Sequence, residues 1–136
     1  MFIIDASVVI KWFVEEQDSV KAISLRDEHV QGKTVLIAPD LLIYEVTNVL
    51  MISKIFTPAE IKRSLQDLYE LEIDLIAPSI DIILTATELA IDKRISIYDA
   101  SYIALAKELD VRFITADEKL AAALNEPHCL ALLSQL

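Results

Sequence analysis

Phe2-Ile3-Ile4-Asp5 is an apolar run that stops at a carboxylate, and the same figure returns near the other end as Val111-Arg112-Phe113-Ile114-Thr115-Ala116-Asp117. Short apolar runs set between longer helical stretches read as buried strands of a parallel sheet. Ile95-Ser96-Ile97-Tyr98-Asp99 has the same look, so it too reads as a strand-like run giving way to a helix at an acid. In a parallel α/β fold the carboxyl ends of the strands share one edge, and acids placed there converge on one crevice.

The alternation holds along the whole chain and predicts α/β architecture with a mostly parallel sheet. Phe2 to Ile4 is the first strand and Ala6 to Phe13 a short helix. A second helix covers Asp18 to Gln31, closed by Gly32, and a strand spans Thr34 to Ala38. An apolar helix from Asp40 to Lys54 forms a hairpin with a helix that opens on the capping sequence Thr57-Pro58-Ala59-Glu60 and ends near Leu71. Ile73 to Ala77 is a strand, Ser79 caps a helix to Asp92, and Asp99 to Leu109 is another helix. Val111 to Thr115, Asp117 to Leu124 and Cys129 to Leu133 read as strand, helix and strand. With 136 residues and no linker or repeat, residues 1–136 are expected to form a single domain.

Composition narrows the functional classes. One cysteine and two histidines make neither an internal disulfide nor a zinc site, so any metal here is held by oxygen. No uncharged stretch approaches the roughly 18 apolar residues of a membrane span. The start of the chain shows no basic, signal-like region, and the expected location is the cytoplasm. Hydrophobic residues reach 54%, high for a soluble chain with 25% charged residues, which predicts apolar surface kept for a partner, most simply a homodimer. A net charge of −10 argues against nucleic acid as partner. Bound divalent cations reduce that charge, and Lys11, Lys54, Lys62, Arg63, Lys93 and Arg94 offer local positive charge to a phosphate backbone.

Taken singly, Asp5, Asp99 and Asp117 are each explained as helix N-caps. Taken jointly they are not. Two carboxylates about 4 Å apart repel by about 4 kcal/mol at an effective dielectric near 20, more than the roughly 0.3–1 kcal/mol a helix terminus returns. A converged cluster therefore takes up protons or a hard cation, and Mg²⁺ or Mn²⁺ fits oxygen ligands. Asp5, Asp99 and Asp117 are the candidate metal ligands. Glu45 lies among apolar neighbours on its helix, where a charge has a partner, and it completes the ligand shell or positions the attacking water. Asn48 stands one turn after Glu45, while Ser7 and Thr115 flank Asp5 and Asp117. All three are supporting candidates. His29, His128, Trp12, Phe13, Tyr98 and Tyr102 are expected to be surface or packing residues.

Asp5-Ala6-Ser7, Glu45-Val46-Thr47-Asn48-Val49-Leu50, Tyr98-Asp99-Ala100-Ser101-Tyr102 and Thr115-Ala116-Asp117-Glu118-Lys119-Leu120, in that order and spacing, resemble the PIN domain, and within it the VapC-type toxins of toxin–antitoxin pairs. The resemblance covers essentially the whole chain. It implies a three-layer α/β/α sandwich and a set of four acids at Asp5, Glu45, Asp99 and Asp117. It further implies Mg²⁺- or Mn²⁺-dependent endoribonuclease activity on RNA, a homodimer, and a cognate antitoxin that blocks the site.

Two other strand-end aspartate families fit less well. A haloacid-dehalogenase-type phosphohydrolase needs a second Asp where this chain has Ser7, and a receiver domain needs adjacent acids where it has Asp5-Ala6. The alternative from another class is a non-catalytic PIN-like binding protein with a structural cation site.

Overall fold

The computed structural model describes residues 1–136. Five parallel strands form one sheet: β1 (Phe2–Ile4), β2 (Leu36–Pro39), β3 (Asp74–Ile76), β4 (Arg112–Thr115) and β5 (Leu130–Leu132), in the order β3-β2-β1-β4-β5. Seven helices connect them: α1 (Ala6–Val9), α2 (Ser19–Val30), α3 (Leu42–Ile52), α4 (Pro58–Glu70), α5 (Ile80–Lys93), α6 (Ile97–Leu109) and α7 (Glu118–Leu124). The architecture is the expected α/β/α sandwich.

The strand order locates the crevice. From β1 the chain moves outward on one side through β2 to β3, then returns past β1 to build β4 and β5 on the other side. The connections thus reverse direction between β1 and β4, and ligands of open parallel sheets bind outside the carboxyl ends of the strands at such a switch point. Phe2 pairs with both Leu36 and Arg112, so the first strand of the sequence is the middle strand of the sheet.

Twenty-eight buried residues form one continuous core. Its centre is α6, where all seven residues from Ala100 to Ala106 are buried. The helix packs across β1, β2 and β4 on one side while α5 covers it on the other. A helix apolar on all sides is stable only when enclosed in this way. Ser79 and Thr57 cap α5 and α4 as expected, and the Thr57–Glu60 capping box is complete in both directions. Gly32, at φ +70°, stands just beyond α2, where a left-handed backbone suits glycine. It is the only glycine in the chain, so Arg94, Asp110 and Asn125 take the left-handed positions that end α5, α6 and α7.

Three expectations are corrected. The run Ile95 to Tyr98 is not a strand: Arg94 ends α5, and Ser96 caps α6, which begins at Ile97. Four residues of alternation are too few to establish a strand, whereas Ser96-x-x-Asp99 is a helix-start pattern. The helix expected over Ala6 to Phe13 is four α-helical residues followed by a 3-10 turn at Ile10–Trp12. His29 is not a free surface residue. Its Nε2 lies 2.8 Å from the Leu71 carbonyl oxygen and its Nδ1 accepts from Leu36 N at 3.2 Å, tying the end of α2 to β2 and to the end of α4.

Candidate active site

Asp5 follows β1 directly and Asp117 stands two residues beyond β4, so the two acids meet the edge of the sheet at the switch point. Asp5 is nearly inaccessible, at 6% exposure, and three donors serve its carboxylate. Ser7 Oγ donates to Oδ1 at 2.5 Å, Val8 N donates to Oδ1 at 3.3 Å, and Thr115 Oγ1 donates to Oδ2 at 2.5 Å. Each hydroxyl also accepts from backbone, Ser7 from Ala116 N at 2.8 Å and Thr115 from Asp117 N at 3.1 Å. The two side chains thereby lock the ends of β1 and β4 together around one carboxylate. Asp117 caps α7, its Oδ1 accepting from Leu120 N at 2.9 Å, and is exposed.

Glu45 and Asp99 arrive from helices. Glu45 lies in the first turn of α3, and its Oε2 accepts the hydroxyl proton of Tyr102 on α6. Asp99 occupies the third residue of α6, its backbone N–H donating to the Ser96 cap at 3.0 Å. The reading of Asp99 as an acid at a strand end is corrected here: a helix start, not a strand, brings it to the crevice. Asn48 is exposed on α3 and makes no side-chain hydrogen bond within the chain.

Electrostatic coupling joins the four acids. Burial, first, pushes the Asp5 carboxyl up to about 6, against the hydrogen bonds of Ser7, Thr115 and Val8, and the Asp117 charge adds to the rise. Burial likewise raises Glu45, with Asp99 and Asp5 contributing, and raises Asp99, with Asp117 contributing. For all three acids desolvation outranks repulsion, so the contact-distance repulsion expected from sequence is not the leading cost. Burial and then the Glu45 charge push Tyr102 ionisation far above its ordinary range, so its hydroxyl stays a proton donor.

None of the four acids is paired with a cation. The chain's ion pairs lie elsewhere, at Lys11–Glu16, Arg26–Asp27, Lys93–Asp92 and Lys107–Glu126. Lys11, offered above as a free positive charge, is held by Glu16 and by the Gln17 carbonyl.

The donor chemistry can be tested against a hard cation. No three His, Cys, Asp or Glu side chains form a group compact enough to enclose a metal ion. Three of the four acids nevertheless keep acceptor capacity: three of the roughly four lone pairs of Asp5 are used, and one oxygen each of Glu45 and Asp117 accepts nothing. Mg²⁺ usually retains several waters and takes only one or two carboxylates directly, so an open set of this kind fits it.

The model of the PIN domain family matches residues 2–124. The chain belongs to the PIN domain family. No curated protein matches it by sequence. Among solved structures, this PIN domain is similar to a toxin–antitoxin complex from Klebsiella pneumoniae, with TM-score 0.72 and 16% identity over 98% of each chain. It is similar to FitAcB from Neisseria gonorrhoeae, with TM-score 0.68 and 13% identity over 100% of each chain. It is also similar to Mycobacterium tuberculosis VapC20, a toxin that cleaves the sarcin–ricin loop, with TM-score 0.65 and 13% identity over 90% of this chain and 95% of that one. At these identities the likeness establishes the PIN fold.

The residue missed from sequence is Tyr102, expected only to pack. Its signal was present, since it stands three residues after Asp99 and so on the same side of α6.

Proposed function

We propose that the chain is a metal-dependent endoribonuclease that hydrolyses RNA phosphodiester bonds as the toxin of a VapBC-type toxin–antitoxin pair. The observation that carries this reading is a crevice where Asp5, Glu45, Asp99 and Asp117 are electrostatically coupled and no Lys, Arg or His neutralises them. A cation from outside the chain supplies what the fold withholds.

Asp5, Asp99 and Asp117 are the groups that would hold Mg²⁺ or Mn²⁺, directly or through water. The ion supplies the positive charge that acidifies a water and stabilises charge developing on the scissile phosphate. Ser7 and Thr115 fix the Asp5 carboxylate, so its remaining acceptor direction is set before substrate arrives. Glu45 orients the attacking water and takes its proton. The water oxygen then bonds to phosphorus as the bond to the sugar oxygen breaks on the opposite side.

The partner proposals rest on surface. Tyr44 and Met51 are exposed on one stripe of α3, Ile52 is exposed beside them, and Ile55 is exposed just beyond the helix. The opposite side of α3 is buried through Leu42, Val46 and Leu50, so the exposed side, with Asn48 between Tyr44 and Met51, carries apolar side chains that lack a neighbour. A second copy of the chain or a cognate antitoxin covers such a face. No helix is long and apolar enough to cross a membrane, and a cytoplasmic location is part of the proposal.

One observation favours the second reading, a non-catalytic PIN-like binding protein with a structural cation site: apolar side chains such as Tyr44, Met51 and Ile52 stand exposed as a partner would need. RNA cleavage by pure protein with added Mg²⁺ or Mn²⁺, beside an Asp99→Asn control, separates the two. Cleavage by the wild type alone supports the nuclease; no cleavage by either favours the binding protein.

A further inference from the structure

We propose that Tyr102 is a positioning residue that holds the Glu45 carboxylate in one orientation at the mouth of the crevice. This rests on the nuclease reading only for its effect on cleavage. The geometry is independent of it. Tyr102 is 1% exposed, and its hydroxyl donates to Glu45 Oε2 across the gap between α6 and α3. Its ring stacks on Phe113, with centroids 5.7 Å apart and planes at 13°. Phe113 is itself fully buried in β4, paired in register with Ile3 of β1. The phenol is therefore fixed by the strand pair that carries Asp5 and Asp117, and passes that position to an acid from a third element.

Glu45 needs such a partner. Its side chain has three rotatable torsions, it is half-buried, and no second donor reaches its carboxylate. The bond occupies Oε2 and leaves Oε1 unpartnered. A hydroxyl on a stacked, enclosed ring is a rigid donor, whereas a surface lysine in its place would move with its own stem. Glu45 without Tyr102 samples several rotamers, and groups that act on a reacting water lose rate steeply when misplaced.

The test is Tyr102→Phe, which keeps the ring and its stacking and removes only the hydroxyl. The first readout is structural: a crystal structure or side-chain NMR order parameters of metal-free Tyr102→Phe, expected to show Glu45 spread over more than one rotamer where the wild type has one. The second is kinetic. Cleavage of RNA in Mn²⁺ is expected to fall by roughly 10–100-fold in kcat, the usual cost of losing an outer partner, with KM changed by less than about 3-fold. In a Glu45→Gln background the same change is expected to cost less than about 3-fold, because the group being positioned is already gone. Glu45 held in a single rotamer in Tyr102→Phe overturns the proposal, as does an equal loss in both backgrounds. If the wild type fails to cleave RNA while Tyr102→Phe still releases Glu45, the nuclease reading falls and the positioning role stands.

Discussion

Thr115 donates its hydroxyl proton to Asp5 across 110 positions of sequence, and at 2.5 Å the two side chains join the ends of neighbouring parallel strands. The same oxygen accepts from Asp117 N, so one small side chain serves two of the four acids. Thr115→Val keeps the shape and removes both bonds. A buried acceptor left unpaired costs about 1–3 kcal/mol, more when charged. Urea unfolding of the metal-free variant at pH 7.5 is expected to show a loss in that range, shrinking near pH 4 where Asp5 is protonated. A loss of equal size at both pH values would show that the bond to the carboxylate is not what Thr115 contributes.

The raised pKa of Asp5 sets a pH dependence of definite sign. Between the ordinary 3.8 and about 6, the folded protein holds a proton that the unfolded chain has released. Stability from this group is therefore full below about pH 4, is lost as pH rises through about 6, and is flat above. Roughly two pH units correspond to about 3 kcal/mol. Denaturant midpoints of metal-free wild type and Asp5→Asn between pH 4 and 7.5 are expected to diverge by up to that amount, with the wild type falling more. Parallel curves would assign the titration to another group.

Asp99→Asn removes one charge of the coupled set and nearly preserves the shape. Cleavage is expected to fall by more than the roughly 10–100-fold that loss of an outer partner costs. The melting temperature of the metal-free variant is expected to rise at neutral pH, since Asp99 is held above its ordinary pKa by burial and then by Asp117. Mg²⁺ is expected to stabilise the wild type more than the variant. Four thermal melts suffice, and equal metal-induced shifts in both proteins would mean that Asp99 takes no part in a cation site.

Chelation gives the corresponding prediction for activity. RNA cleavage is expected to stop in excess EDTA and return with Mn²⁺, because every acceptor in the crevice is oxygen. Undiminished cleavage by metal-stripped protein would remove the mechanism.

Light scattering at micromolar concentration is expected to give about twice the 15.3 kDa chain mass, and Ile52→Glu on the exposed side of α3 to halve it. A monomer throughout the range leaves that stripe to a different partner.

The sheet was legible because each true strand is a short apolar run bounded by helix-start or turn chemistry, and the position of Asp5 and Asp117 beyond strand ends is legible with it. The placement of Asp99 is not legible as a strand end. Ile95 to Tyr98 alternates like a strand, and only the spacing from Ser96 to Asp99 separates a helix start from a strand end. Spacing from Asp99 puts Tyr102 on the acid side of α6, but its partnership with Glu45 depends on how α3 and α6 lie against each other, which no local pattern encodes. The order of costs was misjudged too: burial, which sequence shows poorly, outranks the repulsion that clustered acids suggest.

The placement of the first strand in the middle of the sheet has a consequence during synthesis. Asp5 is made 110 residues before Thr115, so Phe2 finds one of its two neighbours only when Arg112 exists, and Asp5 has its local donors Ser7 and Val8 but lacks its third until Thr115 is made. Pairings this distant form late in any folding route. Until β4 is made the nascent chain carries acids without a crevice, and a product interrupted before β4 lacks both Thr115 and Asp117. On the nuclease reading, an incomplete chain is harmless to the RNA that encodes it.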